Sequence, residues 1–261
     1  MAVPLVEAQN ASINEETDLE LAEQAIPASL KMMEGMLKED PGNEILLGRL
    51  AEGFCRYAFG FVEDDDPDRA SNLYLRGRDY AVRELAARSG PEGLVSLNIE
   101  PFKARLNEIG PDHLHALYWM GQCWANWLML NLDDMQAFLV TPKVEAAMQR
   151  VLDLDGSFEF AGSHTFFGAY FGGRPKMLGG DAVKAKTHFD QALEITQRRF
   201  LIIHILYAKT LAIQTQDKKL FVQLLNEVVK APEDLLPGQQ LANAGARFKA
   251  QKLLESTDDF F

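Results

Sequence analysis

Gly162 to Pro175 reads GSHTFFGAYFGGRP, and Lys176 to Ile195 continues KMLGGDAVKAKTHFDQALEI. In the first stretch His164, Phe167, Gly168 and Phe171 follow one another at spacings of three, one and three. In the second, Ala185, Phe189 and Ala192 are spaced by four and three. On a helix of 3.6 residues per turn each set forms one stripe. The small residue lets a neighbouring helix approach closely, and the aromatic fills the space beside it. A single helix pair cannot bury both of its apolar surfaces, so such units stack.

The pattern recurs along the chain. Leu47, Leu50, Ala51 and Phe54 repeat the first spacing, as do Leu117, Met120, Gly121 and Trp124. Val144, Met148 and Val151 echo the second, and so do Phe221, Leu225 and Val228, after which Pro232 stops the helix. Together these predict an all-α chain of tetratricopeptide-like helix-turn-helix repeats forming a single superhelical or toroidal domain. About eleven helices and no strand are expected. The repeats occupy residues 12–256, between an aperiodic, flexible N-terminus over 1–11 and a tail over 257–261.

The individual helices follow from local signals. One is predicted over 14–39 with Pro27 inside it, and others over 44–61 and 67–88. Ser89-Gly90-Pro91 ends the last of these. The segment from Gly93 to Gly110 holds at most a short helix, and a connection of this length suits the lining or covering of a cavity. A helix over 113–131 is the most aromatic, and Pro142 is expected to open the next. Glu63-Asp64-Asp65-Asp66 lacks the spacing, the central Gly and the closing Glu of a calcium loop. It is read as an acidic turn before a helix starting at Pro67.

Composition excludes several classes. The 261 residues are 47% hydrophobic, enough for a large core. No run of about 18 apolar residues is present to span a bilayer. The formal net charge of -12 and the lack of a basic cluster argue against nucleic-acid binding. Cys55 and Cys123 stand in apolar helical text and read as two buried thiols, a disulfide between them being the alternative, with neither CxxC nor zinc spacing. The five histidines are scattered. HExxH, GxSxG, GxGxxG and phosphate-loop motifs are absent, so neither an enzyme nor a cofactor or metal is expected.

Several stretches together resemble the TatT family, the T component of TRAP transporter systems. They are Asn72-Leu73-Tyr74 through Gly77-Arg78-Asp79-Tyr80-Ala81, Arg105-Leu106, and Leu117-Tyr118-Trp119-Met120-Gly121. Val151 through Asp155, Gly162-Ser163-His164, Gly172 through Pro175 and Gly179-Gly180 follow. His188-Phe189 and Leu241-Ala242-Asn243 with Arg247, Ala250 and Leu253-Leu254 complete the set. The resemblance runs from about residue 12 onward. It implies a non-enzymatic periplasmic lipoprotein of tetratricopeptide-like helix pairs, a trimer with a channel or cleft through each protomer. It also implies association with the substrate-binding P component and handling of hydrophobic or organic-acid ligands. Neither a signal peptide nor a lipid-accepting Cys stands near residue 1, which a trimmed mature form explains; the anchor is expected on the precursor.

Candidate ligand-channel residues are Tyr118, Trp119, Asn126, Trp127, His164, Arg105 and Arg174. Trp119 and Trp127 are eight apart and share a face, either as ordinary core or as a cavity wall. Asn126 beside Trp127 needs a polar partner if buried. His164 sits amid aromatics, as a core histidine or a ligand donor. Arg105 and Arg174 lie beside turns, where a planar fork of donors suits a carboxylate from a ligand or from the protein itself. Asn243 and Arg247, four apart, suit an inter-helix or interface network, and Phe260 and Phe261 an interface tail. The alternative function is a scaffold that binds peptide or protein partners in a concave groove. The aromatic character of the notable positions favours the small-ligand channel.

Overall fold

The computed structural model describes residues 2–88, 90, 93–132 and 134–261. They form thirteen α-helices, with no strand among the described residues. The two helices beyond the expected eleven lie at the ends. α1 (Ala2–Asn14) covers residues that show no periodicity, and α13 (Thr257–Phe260) is a single turn. The expected 14–39 helix starts later, as α2 (Leu19–Glu39), because Asp18 Oδ1 accepts from the free N–H groups of Glu20 and Leu21 and caps it there. Pro27 lies within the continuous helix. Contacts divide the chain into two compact units: residues 1–9 with 23–155, and residues 10–22 with 156–261.

In the first unit, α3 (Glu44–Tyr57) widens into a π turn over Ala58–Val62. Next come α4 (Pro67–Ala87), α5 (Ile99–Asn107), α6 (Leu114–Leu130) and α7 (Met135–Leu154). α4 packs on α3 and α6, and α7 on α5 and α6. The acidic turn caps α4: Asp66 Oδ1 accepts from Arg69 N at 3.1 Å, with Pro67 at the first helical position. α4 ends at Ala87, while Ser89 and Pro91 of the expected break lie outside the described residues.

Pro142 does not open α7. It sits inside a helix that begins at Met135, although proline is disfavoured in a helix interior. The Gly93–Gly110 segment is packed rather than loose. Leu94, Phe102, Leu106 and Ile109 are buried, and Phe102 meets Trp124 edge-on at 6.4 Å.

The reading of Cys55 and Cys123 as two thiols is corrected: they form a disulfide joining α3 to α6, with Cα atoms 5.5 Å apart. Gly77 on α4 makes the approach possible. A Cβ there would lie 3.0 Å from both Ala51 O and Cys123 Sγ. The bond spans 68 residues, so no spacing motif announces it.

The second unit holds α8 (Phe158–Gly172), α9 (Ala182–Ile195), α10 (Ile202–Tyr207), which widens into a π turn over Ala208–Ala212, α11 (Lys218–Lys230), α12 (Gln240–Glu255) and α13. α8 packs along α9, and the stripes read from the sequence meet there. Gly168 faces Phe189, whose ring stacks on Tyr207 at 4.4 Å. Phe189, Phe221, Leu225 and Val228 are fully buried.

The turn between α8 and α9 needs glycine at 180, where a Cβ would fall 1.8 Å from Arg174 O. Two short runs adopt left-handed backbone without glycine: Glu159, Phe160 and Ala161 at the start of α8, and Gln197 and Arg198 after α9. Such residues are uncommon, and L side chains disfavour the conformation.

Candidate functional site

In the first unit, charged side chains enter faces that are otherwise apolar. Glu52 of α3 is buried, takes a hydrogen bond from Arg49 Nη1 at 2.7 Å and forms an ion pair with Arg56 Nη2 at 3.1 Å. Burial by itself would raise its pKa; Arg56 and Arg49 beside it prevail and hold the carboxyl below its ordinary value. Arg49 also meets both oxygens of Glu7, at 3.0 and 2.6 Å. Glu84 of α4, equally buried, faces His115 Nδ1 at 3.1 Å and Arg88 Nε at 3.6 Å. Sequence reading missed these two acids. The signal was a glutamate set within each apolar stripe, beside Ala51 and beside Leu85.

Trp119 lies next to this network. It is only 4% exposed, with the Arg56 guanidinium 5.2 Å from its ring centre and Tyr118 edge-on at 5.1 Å. Its buried Nε1–H has no hydrogen-bond acceptor among the described residues. Trp127 is half-buried on the same helix, and its carbonyl accepts from Asn131 Nδ2. Asn126 finds its polar partner four residues back, accepting from Gln122 Nε2 at 2.9 Å. Arg105 is exposed and bonds Glu108 of its own helix turn at 2.7 Å.

In the second unit, His164 of α8 meets His188 of α9, Nδ1 to Nδ1 at 3.0 Å. His188 stacks on Phe167 at 5.2 Å and on Phe171 at 6.1 Å, and Phe166 stacks on Tyr170 at 5.3 Å. Burial lowers the pKa of both imidazoles. For His188, the proximity of His164 and Lys184 adds to that, and its pKa falls to about 4. The pair is therefore neutral near pH 7. His188 was noted with Phe189 among the family-like stretches but not as a candidate site residue. Arg174 donates Nε–H to Tyr170 O at 2.8 Å and lays its guanidinium 3.4 Å from the centre of the Tyr170 ring.

The candidates on the last helices serve internal packing. Asn243 is fully buried; its Oδ1 accepts from Leu201 N and its Nδ2 donates to Arg199 O, both at 3.0 Å. Arg247 Nη2 donates to Pro232 O at 2.6 Å. Phe260 and Phe261 pack on Phe221, at 5.8 and 5.3 Å. Among the described residues no three His, Cys, Asp or Glu side chains converge as metal ligands, and no helix is long and apolar enough to cross a membrane.

The chain is similar to an uncharacterized protein of Treponema pallidum (strain Nichols). Identity is 25% over 273 aligned positions, covering 95% of this chain and 81% of that one. It also matches the TRAP transporter T-component family from residue 15 to residue 261. That match spans almost every helix described above, both stripes of the α8–α9 pair included. The chain accordingly belongs to the TRAP transporter T-component family, whose membership carries a non-enzymatic accessory role in transport and partnership with a TRAP substrate-binding component.

Proposed function

We propose that the protein binds a small hydrophobic or organic-acid ligand in an internal channel and passes it on by docking to the substrate-binding component. The observation that carries this reading is the indole N–H of Trp119, buried with no acceptor among the described residues. Leaving such a donor unsatisfied costs about 1–3 kcal/mol. A ligand acceptor would recover that, with Tyr118 and the indole face covering its apolar part. Trp127 extends this wall in the first unit. His164 and Arg174 are the corresponding ligand contacts in the second, where aromatic rings surround a neutral imidazole pair.

The helix pairs α3–α4 and α6–α7 of the first unit and α8–α9 and α10–α11 of the second are read as tetratricopeptide-like repeats, and the chain as assembling into a trimer. The disulfide supports a periplasmic location, since such bonds persist in oxidising compartments. Family membership supports a lipid anchor on the precursor.

The test is native mass spectrometry and calorimetry with a panel of lipids and organic acids, on wild type, Trp119→Phe and Trp127→Ala. Trp119→Phe keeps the ring and removes the donor, so a fall in affinity of roughly tenfold is expected from a lost 1–3 kcal/mol. Trp127→Ala is expected to weaken binding more than folding. Equal affinity in all three proteins would remove the tryptophans from the site. Surface plasmon resonance against the substrate-binding component checks docking, and sedimentation equilibrium giving a lone 29 kDa species would exclude the trimer.

A further inference from the structure

The two left-handed runs border the same cavity. It measures about 380 Å³ and is lined by Glu159 and Phe160 from the first run with Ser157 just before it, Ile195, Thr196 and Arg199 around the second, and Leu236. Runs of non-glycine residues in this conformation persist only where the surroundings over-determine them, and they concentrate at ligand clamps and other functional sites. Two of the five residues in these runs, Glu159 and Phe160, line the cavity, and the other run, Gln197 and Arg198, lies between the lining residues Thr196 and Arg199.

The surroundings that hold them are specific. Arg198 grips Glu227 with Nε and Nη2, both at 2.6 Å, on one side of the second run. On the other side Asn243, fully buried, bonds the carbonyl of Arg199 and the amide of Leu201. The backbone of residues 198–201 is thus pinned from both directions. Phe160 in turn is fixed by stacking on Phe200 at 4.6 Å. Within this fixed frame the Arg199 side chain is exposed, and its guanidinium has no carboxylate or carbonyl partner among the described residues. In a chain with 38 acidic groups an unpaired arginine at a cavity is a conspicuous exception.

We propose that this cavity is a second binding site, for an amphipathic monocarboxylate. The guanidinium of Arg199 takes the carboxylate, for which its planar fork of donors is suited. Phe160, Ile195 and Leu236 cover the alkyl or aryl part. Among the described residues Arg199 is the one cationic side chain in the lining, so a diacid would leave its second carboxylate without a partner there, which selects monoacids over diacids. A frame already held in its strained conformation loses little further entropy on binding. The site is independent of the channel reading, which concerns Trp119, Trp127, His164 and Arg174.

The experiment is titration calorimetry of the full chain with sodium octanoate, with octanol and suberate as controls, at low and high salt. Wild type is expected to bind octanoate at least tenfold more tightly than octanol or suberate, and more weakly as salt rises. Arg199→Gln, at an exposed and unpaired position that leaves the fold intact, is expected to reduce octanoate affinity at least tenfold. The titrations are repeated in a Trp119→Phe, Trp127→Ala background, where octanoate binding still lost on Arg199→Gln belongs to this cavity, so failure here and failure of the channel reading are separable. Octanoate binding unaffected by Arg199→Gln, octanol binding as tightly as octanoate, or no octanoate binding at millimolar concentration would each overturn the proposal.

Discussion

Gly168→Ala tests the packing on which the second unit depends. A Cβ at 168 would lie 2.7, 2.8 and 2.8 Å from three ring atoms of Phe189, against the 3.4–4 Å of ordinary contact. One of the two helices must therefore yield by several tenths of an ångström to about 1 Å. Phe189 cannot: it is fully buried, and its other face stacks on Tyr207 at 4.4 Å and 9°. Overpacking of this kind typically costs about 1–3 kcal/mol. Replacing glycine by alanine within a helix returns up to about 1 kcal/mol of propensity. The net expectation is a loss of about 1–2 kcal/mol.

At a urea slope of about 3 kcal/mol/M that moves the midpoint down by roughly 0.3–0.7 M. Gly168→Leu should lose more, and so should Gly121→Leu, where the first added carbon would meet Met148 Sδ at 2.6 Å. The control is Gly245→Ala on α12, which has no neighbour within 4 Å among the described residues and should gain up to about 1 kcal/mol. All three tryptophans lie in the first unit, so circular dichroism must be followed alongside fluorescence. A Gly168→Ala midpoint at or above that of wild type, with the slope unchanged, would show that the α8–α9 contact does not set stability.

Other expectations rest on separate features. Replacing Cys55 and Cys123 together by alanine, or reducing the bond, opens a loop of 68 residues; chain entropy alone predicts a loss of about 4 kcal/mol, checked by urea titration with and without reductant. Gln197→Gly relieves a left-handed residue whose side chain is exposed, and thermal unfolding should show a gain of roughly 0.5–1 kcal/mol. Burial lowers the pKa of His164, His188 and His204 below the ordinary 6.5, so the unfolded chain binds more protons than the folded one at mildly acidic pH. Their stabilisation is complete above about pH 6.5 and is lost as pH falls toward the His188 value of about 4. Midpoints measured between pH 7 and pH 4 should fall over that window, and His188→Gln should flatten the upper part of the slope. A midpoint independent of pH there would contradict the burial of the imidazoles.

The legibility of the candidate sites followed from how local each signal was. Trp119, His164 and Arg174 were visible as side chains because they interrupt or flank a helical stripe. Their partners were not visible. His188 lies 24 positions from His164, and Glu52 and Glu84 come from helices other than that of Trp119. Pro142 shows the opposite failure: a strong local signal placed a helix start seven residues late, although the turn that precedes it, with Met135, Phe138 and Leu139, is exposed.

The sequence by itself determined that the chain is helical, which face of each helix is apolar, and that residues 121 and 168 must be small. These are properties of one helix at a time, and a period of 3.6 residues records them. Only the tertiary structure decided that Cys55 reaches Cys123 over Gly77, that two imidazoles share a hydrogen bond, and that two left-handed runs border the cavity beside Arg199. Those outcomes depend on the angle at which helices cross and on the path of each turn. Many weak contacts summed across distant segments set them, and no short window of sequence contains that sum.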